Sequence, residues 1–321
     1  MRSGDIGPIF KCCNMHGILL VDKPEGMTSS QVVRVVKKLV RPAKVGHTGT
    51  LDPAASGLLV ILIGAGTRAL DYLDEAKKEY LPTVLLGEET DTDDREGRVT
   101  RSEDPSGISS EQIEEVLKRY RGVIDQIPPH FSAVKKEGVP LYKLARGGTL
   151  VDLPPRKVEI FSLTLLSWEA PLLDLHMVCS KGTYARALAR DIGRDLNVGG
   201  RLERLRRTAS GDFRIEAAVP LEEISEGGPE LIRQRMISLS DALSHIPNIR
   251  ALVPEIKRLM RGSSVVVPRS RLPLPETNEQ QSVNLLKVVS PDGSLLILVR
   301  LLPGRGEIAL QTVRVFQTYQ Q

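Results

Sequence analysis

The hydrophobic positions of this chain follow both a two-residue and a helical period, which predicts a mixture of strands and helices. The uninterrupted apolar run at 58–63 predicts a buried strand. Alternating or β-branched runs predict further strands at 17–21, 83–86, 157–168, 173–179 and 213–218.

Helical spacing of apolar residues predicts helices at 32–40, 109–120, 185–192 and 229–239. Thr28 and Ser29 offer N-caps to the first, and a loop at 225–229 precedes the last. Strands and helices alternate irregularly, which predicts an α+β fold around one large sheet and not the βαβ rhythm of a doubly wound fold.

Beyond about Leu243 the pattern changes to short strands separated by Gly and Pro turns, at 264–267, 285–289, 295–302 and 308–316. Within this small β domain, 269–282 combines proline, charge and glutamine without periodicity, which predicts a mobile loop. We therefore divide the chain into a flexible extension at 1–14, a larger domain at 15–243 and a β domain at 244–321.

The composition predicts a soluble, cytoplasmic protein. Cys12 and Cys13 are adjacent, Cys179 lies far away, and their spacing fits neither a disulfide framework nor a zinc site. No apolar run approaches the roughly 20 residues that a membrane helix requires. Residues 1–14 lack the apolar core of a secretory signal.

Positive charge is concentrated in one segment. The formal net charge is +4, but 181–214 contains nine Lys or Arg against four Asp or Glu. Such an excess suits a polyanionic partner such as nucleic acid, although an arginine-rich helix with a solvated face would show it too.

The candidate chemistry lies in the loop at 46–53, with the sequence Gly-His-Thr-Gly-Thr-Leu-Asp-Pro. Gly46 and Gly49 allow backbone conformations that other residues avoid, and Pro53 biases Asp52 away from helix. The loop therefore presents one carboxylate directly before a buried strand. Taken alone, the same pattern also fits an ordinary turn in which Asp52 caps a backbone donor.

Four other segments of the chain help to decide between these two interpretations of the loop. They are Gly-Ile-Leu-Leu-Val-Asp-Lys-Pro-Glu-Gly-Met-Thr-Ser at 17–29, Lys-Lys-Glu-Tyr at 77–80, Ser-Lys-Gly-Thr-Tyr-Ala-Arg at 180–186 and Leu-Arg-Arg at 205–207. In this order and spacing, from about 15 to about 213, the chain resembles the TruB-type tRNA pseudouridine synthases. The resemblance implies a pseudouridine synthase fold, with a large mixed, mainly antiparallel sheet flanked by helices and a PUA-like C-terminal β domain.

The resemblance also implies four catalytic residues. Asp52 would act on the sugar or the base as nucleophile or base, and Arg186 would pair with it, since a guanidinium stays protonated and can grip a carboxylate. Tyr80 would stack on the target base and take part in proton transfer. Leu205 would line the pocket beneath the base.

Eight further residues are expected at the RNA-binding surface or its support: His47, Lys23, Asp94, Lys135, Tyr184, Lys181, Arg206 and Arg207. His47 would enter the space left by flipped nucleotides, because a stacked uridine must be extruded before it can react. Lys23 would support the catalytic loop and Asp94 the active-site network. Arg206 and Arg207 would meet phosphates.

We expect neither a cofactor nor a metal, because pseudouridine formation changes neither composition nor redox state. The acidic segment 90–97 resembles a calcium loop, but Arg95 occupies a ligand position and Ser102 stands where glutamate is required. Leu81 and Pro82 depart from the family pattern, and Pro82 predicts that its strand begins late or lies at an edge.

The predicted function is therefore isomerisation of the T-loop uridine of tRNA, position fifty-five by tRNA convention, by a monomer without guide RNA. A guide-dependent subunit of H/ACA type is the nearest alternative, although Thr48 stands where those relatives usually carry serine. A non-catalytic tRNA chaperone is a second alternative. A small-molecule enzyme is the third, but it leaves the basic segment unexplained.

Overall fold

The computed structural model describes residues 15–73, 77–129, 135–136, 139–140, 153–272, 285–303 and 307–317. The α-helices in these ranges are α1 (Ser29–Leu39), α2 (Ser110–Arg119), α3 (Ala185–Asp195), α4 (Leu221–Arg235), α5 (Leu239–Ala242) and α6 (Val253–Met260). The strands are β1 (Gly17–Lys23), β2 (Val45–His47), β3 (Ser56–Ile63), β4 (Lys77–Leu86), β5 (Glu88–Thr90), β6 (Val99–Ser102), β7 (Gly122–Gln126), β8 (Lys135–Lys136), β9 (Val139–Pro140), β10 (Arg156–Glu169), β11 (Leu172–Ser180), β12 (Gly200–Ser210), β13 (Phe213–Arg214), β14 (Val219–Pro220), β15 (Val265–Pro268), β16 (Leu285–Val289), β17 (Leu295–Pro303) and β18 (Glu307–Gln317).

Ten strands form one large sheet in the order β14, β1, β3, β12, β4, β11, β10, β7, with β13 paired to β12 and β2 paired to β3. The pairs β1 with β14 and β3 with β12 are parallel, and the other pairs are antiparallel. Strands β15, β18, β17 and β16 form a separate antiparallel sheet. The predicted α+β fold with a large mixed sheet and a small C-terminal β domain is confirmed.

The first two helices begin where their sequences predict, because each has a capping box. The Thr28 and Ser109 hydroxyls accept from the backbone N–H of Gln31 and Gln112, whose side chains bond back to the cap.

Both faces of the large sheet are covered around β1 and β3. One set of alternate residues, including Leu59 and Ile61, packs with α1 and α4 in one buried cluster. The other set, including Leu58 and Val60, shares a cluster with Leu298 and other residues of the C-terminal sheet. The C-terminal sheet is therefore docked on the large sheet through buried apolar contacts.

One prediction between 213 and 239 is wrong, and another is confirmed in part. Instead of one strand, 213–218 forms the two-residue β13 followed by a 3₁₀ turn at Ile215–Ala217, since the chain there leaves β12 and crosses to β1, where β14 pairs. The predicted break at 225–229 and the predicted helix start at Pro229 are confirmed in part, because α4 consists of two helical stretches separated by a kink at Gly228, where φ is 61° and ψ is −152°. Helix α4 ends at Arg235 because Ile237 pairs with Ile18 of β1.

The expectation for Pro82 is also wrong. Strand β4 starts at Lys77 and lies inside the sheet, between β12 and β11. Thr83 and Tyr80 pair with β11, but Leu81 and Pro82 between them do not. The backbone N–H that proline lacks is therefore missing at a point where the pairing with β11 is already interrupted. Strand β12, which the sequence did not predict, carries much of the basic segment.

Some predictions fall on residues outside those described. They concern the extension at 1–14 and most of the loop at 269–282, of which Arg269–Arg271 forms a 3₁₀ turn. Across the described ranges, no helix has the length and apolar character needed to span a membrane.

Close backbone contact between α3 and β12 predicts a stability effect. A Cβ on Gly193 would lie 2.1 Å from the Gly200 nitrogen and 2.2 Å from the Gly199 carbonyl carbon. We expect Gly193→Ala to lower the free energy of unfolding by about 3 kcal/mol, the upper range for overpacking, because backbone cannot give way cheaply. Urea unfolding measures this, with Gly107→Ala as control, since that Cβ meets nothing within 4 Å. Equal stability of the two variants would contradict the prediction.

Candidate functional site

The loop at 46–53 begins within β2, which includes Gly46 and His47, and leads to β3. Side chains from other elements hold it. Ser29, the first residue of α1, is buried, and its Oγ accepts from Leu51 N at 2.9 Å and donates to Leu51 O at 3.1 Å. The backbone next to Asp52 therefore has little freedom to move.

Lys23, at the end of β1, supports the same loop from beneath. Its ammonium donates to the carbonyl oxygens of Pro24 (2.9 Å), Met27 (2.7 Å) and Pro53 (3.3 Å), and the residue is fully buried. Burial lowers the pKa of Lys23 to about 8, although the Asp52 carboxylate opposes this change. The position of Lys23 agrees with the expected support of the loop. It does not agree with an RNA contact, because the side chain has no access to solvent.

Arg207 of β12 is the third support. Its guanidinium donates from Nε to Leu58 O at 2.7 Å and from Nη2 to Gly49 O at 3.1 Å, with 2% of the residue exposed. The expected phosphate contact therefore does not fit Arg207, because its charged group is enclosed. Arg206 points to the other face of the strand and forms two hydrogen bonds with Asp22, at 3.1 and 2.7 Å.

Arg186, in the first turn of α3, lies against the candidate catalytic carboxylate. Its Nε is 3.0 Å from Asp52 Oδ2, and its Nη1 is 3.5 Å from Asp94 Oδ2 and donates to Thr92 O at 3.2 Å. The Arg186 side chain is 7% exposed, whereas that of Asp52 is 47% exposed. A buried, permanently charged group thus faces a carboxylate that solvent or a substrate can reach.

Two residues that the sequence reasoning missed fix Arg186. Buried Gln126 accepts from Tyr184 N at 2.8 Å and donates to Tyr184 O at 3.1 Å, which sets the start of α3. Arg190, one turn beyond Arg186, pairs with Asp93 at 3.0 Å and holds the acidic turn that contains Asp94. The four-residue spacing of the two arginines was the available signal, because it places both on one helix face.

These groups meet at a pocket of about 350 Å³. Asp52, Tyr80, Lys181, Tyr184, Arg186, Leu205 and Arg207, all singled out in the sequence, line it. Burial raises the pKa of Tyr80, and the Arg207 guanidinium opposes the rise. His47 lies in β2, one residue before the first lining residue, Thr48. The side chain of Lys135 is outside the described part of the chain.

The arrangement can perform acid–base or nucleophilic chemistry on a flat ring. Asp52 offers an acceptor-only carboxylate, Tyr80 an aromatic face, and Leu205 an apolar contact. Among the described residues, no group of three or more His, Cys, Asp or Glu side chains could hold a metal ion.

The depressed pKa of Lys23 predicts a pH effect on stability. Between pH 8 and the ordinary value of 10.5, the unfolded chain binds more protons than the folded chain, so the contribution of Lys23 to stability rises with pH. We expect the free energy of unfolding of the wild type, minus that of Lys23→Met, to increase across this window in urea unfolding at each pH. The same difference for Lys181→Met, an exposed lysine, should stay flat. A flat difference for Lys23 as well would refute this linkage.

Comparison with known proteins places this geometry in a family. The model described as "TruB family pseudouridylate synthase (N terminal domain)" matches residues 37–185, and "tRNA pseudouridylate synthase B C-terminal domain" matches 186–241. The chain is 40% identical over 306 residues to tRNA pseudouridine synthase B of Syntrophotalea carbinolica, covering 94% of this chain and 98% of that protein. It is 42% identical over 251 residues to the protein of that name from Geobacter sulfurreducens, covering 77% and 82%.

Solved structures show a related fold. A chain in the crystal structure of a Cbf5-Nop10-Gar1 complex superposes with a TM-score of 0.67 at 24% identity, covering 94% of this chain and 85% of that one. A chain in an H/ACA RNP bound to a substrate RNA containing 2′-deoxyuridine gives 0.67 at 23%, covering 97% and 88%. Sequence and fold agree, and the chain belongs to the TruB family of pseudouridylate synthases.

Proposed function

We propose that this protein converts the T-loop uridine of tRNA, position fifty-five by convention, into pseudouridine. The observation that carries the proposal is the 3.0 Å contact between Asp52 and Arg186 on the wall of a pocket that also contains Tyr80 and Leu205. Relatives named tRNA pseudouridine synthase B, at 40% and 42% identity, support the same reaction.

The reaction breaks the bond between uracil N1 and ribose C1′ and forms a bond between C5 and C1′. Asp52 is the catalytic carboxylate, acting as nucleophile at C1′ or as base at the sugar. Arg186 and Asp94 form one charged network with it, and this network orients the carboxylate towards the pocket.

The substrate uridine enters the pocket after it is flipped out of the RNA, at a cost of about a few kcal/mol. Tyr80 stacks on the flipped base and Leu205 contacts it from the strand beside. His47, just before the catalytic loop, fills the vacated space, and exposed Lys181 approaches the phosphate backbone.

The protein acts as a cytoplasmic monomer without guide RNA, with 15–243 as its catalytic domain and 244–321 as a domain that binds RNA. The names of the bacterial relatives and the positive charge at 181–214 support a direct tRNA substrate. Guide-dependent activity and chaperone activity without catalysis remain as outcomes of the test below.

The test replaces the carboxylate with a group of the same shape. Asp52→Asn should lower turnover by more than about a thousandfold, the order of loss when a nucleophile or base is removed. Tritium release from carbon-5-labelled uridine in a T-arm hairpin, with no other RNA present, measures turnover, and filter binding of the same RNA should be unchanged. Wild-type release only after a guide RNA is added would indicate the guide-dependent type. A wild type that binds the RNA but releases no tritium, with or without a guide RNA, would indicate a chaperone. Normal release by Asp52→Asn would mean that Asp52 is not the catalytic group.

The two cations Lys181 and Arg207 should differ in their effect on RNA binding. Exposed Lys181 can neutralise a phosphate, so Lys181→Met should reduce the slope of log K against log salt by about 1. Arg207→Met should leave the slope unchanged, because its guanidinium is enclosed and bonded to the carbonyl oxygens of Leu58 in β3 and Gly49 in the loop. T-arm binding at several salt concentrations measures both slopes, and equal decreases would mean that Arg207 reaches a phosphate.

A further inference from the structure

A buried lysine on the pocket wall has no role in the reaction as described so far. Lys78 lines the same pocket as Asp52 and Tyr80, and only 7% of it is exposed. Its Nζ donates a hydrogen bond of 2.5 Å to Oγ of Ser210, a residue with no exposed surface. Removing an ammonium from water is costly, so its presence at a substrate pocket indicates a function.

The strand geometry places Lys78 beside the expected base position. Lys78 and Tyr80 are two residues apart in β4, so their side chains lie on the same face, about 7 Å apart along the strand. On β12, Ser210 pairs with Lys78 and Arg207 pairs with Tyr80. A pyrimidine stacked on the Tyr80 ring therefore lies within reach of the Lys78 ammonium, which Ser210 holds at the pocket wall.

The pocket wall also carries an excess of positive charge. Its described lining side chains include one carboxylate, Asp52, against four cations: Lys78, Lys181, Arg186 and Arg207. Because Arg186 is the cation in contact with Asp52, this inventory favours a ligand that develops negative charge during the reaction.

We propose that Lys78 donates a hydrogen bond to a carbonyl oxygen of the target uracil and stabilises the negative charge on this base while it is detached from ribose. The inference rests on the proposed function. Lys78 is then a catalytic residue, because it touches the reacting base and its contact strengthens as charge develops.

The charge arises when the N1–C1′ bond breaks and its electron pair passes to the uracil ring, where it spreads over N1, O2 and O4. The sugar is balanced either by a bond from C1′ to the Asp52 carboxylate or by transfer of the C2′ proton to it. C5 then bonds to C1′. In the first route the C1′–O bond to Asp52 breaks at the same time and releases the carboxylate, and in the second route C2′ recovers its proton. In both routes C5 loses its proton and N1 gains one. The product is an isomer of the substrate, and Lys78 stays an ammonium throughout.

The same contact bears on base selection. An ammonium has donors and no acceptor, and uracil presents a carbonyl at C4 where cytosine presents an amino group. Contact at O4 excludes cytosine, whereas contact at O2 does not, so the experiment includes both oxygens.

The first arm compares two adjacent lysines. Lys78→Met should lower kcat on the T-arm hairpin by about 100-fold, the effect of removing one preorganised donor to developing charge, and Lys78→Arg should restore part of it. Lys77→Met is the matched control, because Lys77 is exposed on the opposite face of β4, with its Nζ 4.6 Å from the centre of the Phe161 ring. Unchanged kcat in a folded Lys78→Met variant would overturn the inference.

The second arm tests the individual oxygens. Sulfur in place of O4 or O2 of the target uridine weakens that acceptor, so one of the two substitutions should lower the wild-type kcat. In the Lys78→Met variant, the same sulfur substitution should lower kcat no further, because the contact is already absent. If Lys78 has only a structural role, the two decreases in kcat should multiply, and this result would overturn the inference. If Lys78→Met does not fold, the wild type still tests the inference. Normal wild-type kcat on both thio substrates would overturn the proposed contact with a carbonyl oxygen.

The two arms distinguish a failure of the proposed function from a failure of the role of Lys78. A wild-type chain that releases no tritium from the unmodified T-arm means that the proposed function is wrong, and the inference falls with it. A wild type that is active, with Lys78→Met behaving like Lys77→Met, leaves the proposed function standing and refutes the role of Lys78 alone.

Discussion

The site depends on the fixed backbone of the loop at 46–53. Three buried side chains from three elements hold it: Lys23 of β1 at Pro53, Ser29 of α1 at Leu51, and Arg207 of β12 at Gly49. These bonds satisfy three loop carbonyls and the Leu51 N–H, and Pro53 O also accepts from Gly26 N at 2.9 Å. The loop can therefore be irregular and still hold Asp52 at 3.0 Å from Arg186.

The supports of the loop also set the electrostatics of the pocket. Lys23 and Arg207 are cations whose donors go to backbone carbonyls, so they fix the loop without neutralising Asp52 through a direct ion pair. Burial of Lys23 lowers its pKa to about 8, a sign of how strongly this interior disfavours a charge.

Local signals predicted elements well where side chains near in sequence decide them. The capping residues Thr28 and Ser109 set the helix starts. The run at 58–63 lies in β3, where every residue except Ser56 is buried. Prediction failed where distant pairing decides. Strand β12, which is rich in arginine, was not predicted from the sequence, and its pairing with β3 and β4 on either side makes it a strand. At 225–229 the local signal was right in part, because α4 breaks at Gly228 and resumes at Pro229.

The sequence by itself determined the candidate chemistry: Asp52 on a glycine loop before a buried strand, together with the residue types of Tyr80, Arg186 and Leu205. Only the tertiary structure decided which cations face a substrate. Alternation along β12 encloses Arg207 and directs Arg206 to Asp22, and alternation along β4 places Lys78, not Lys77, at the pocket. The physical reason is that adjacent residues of a strand face opposite sides, so their environments depend on the elements that cover each face.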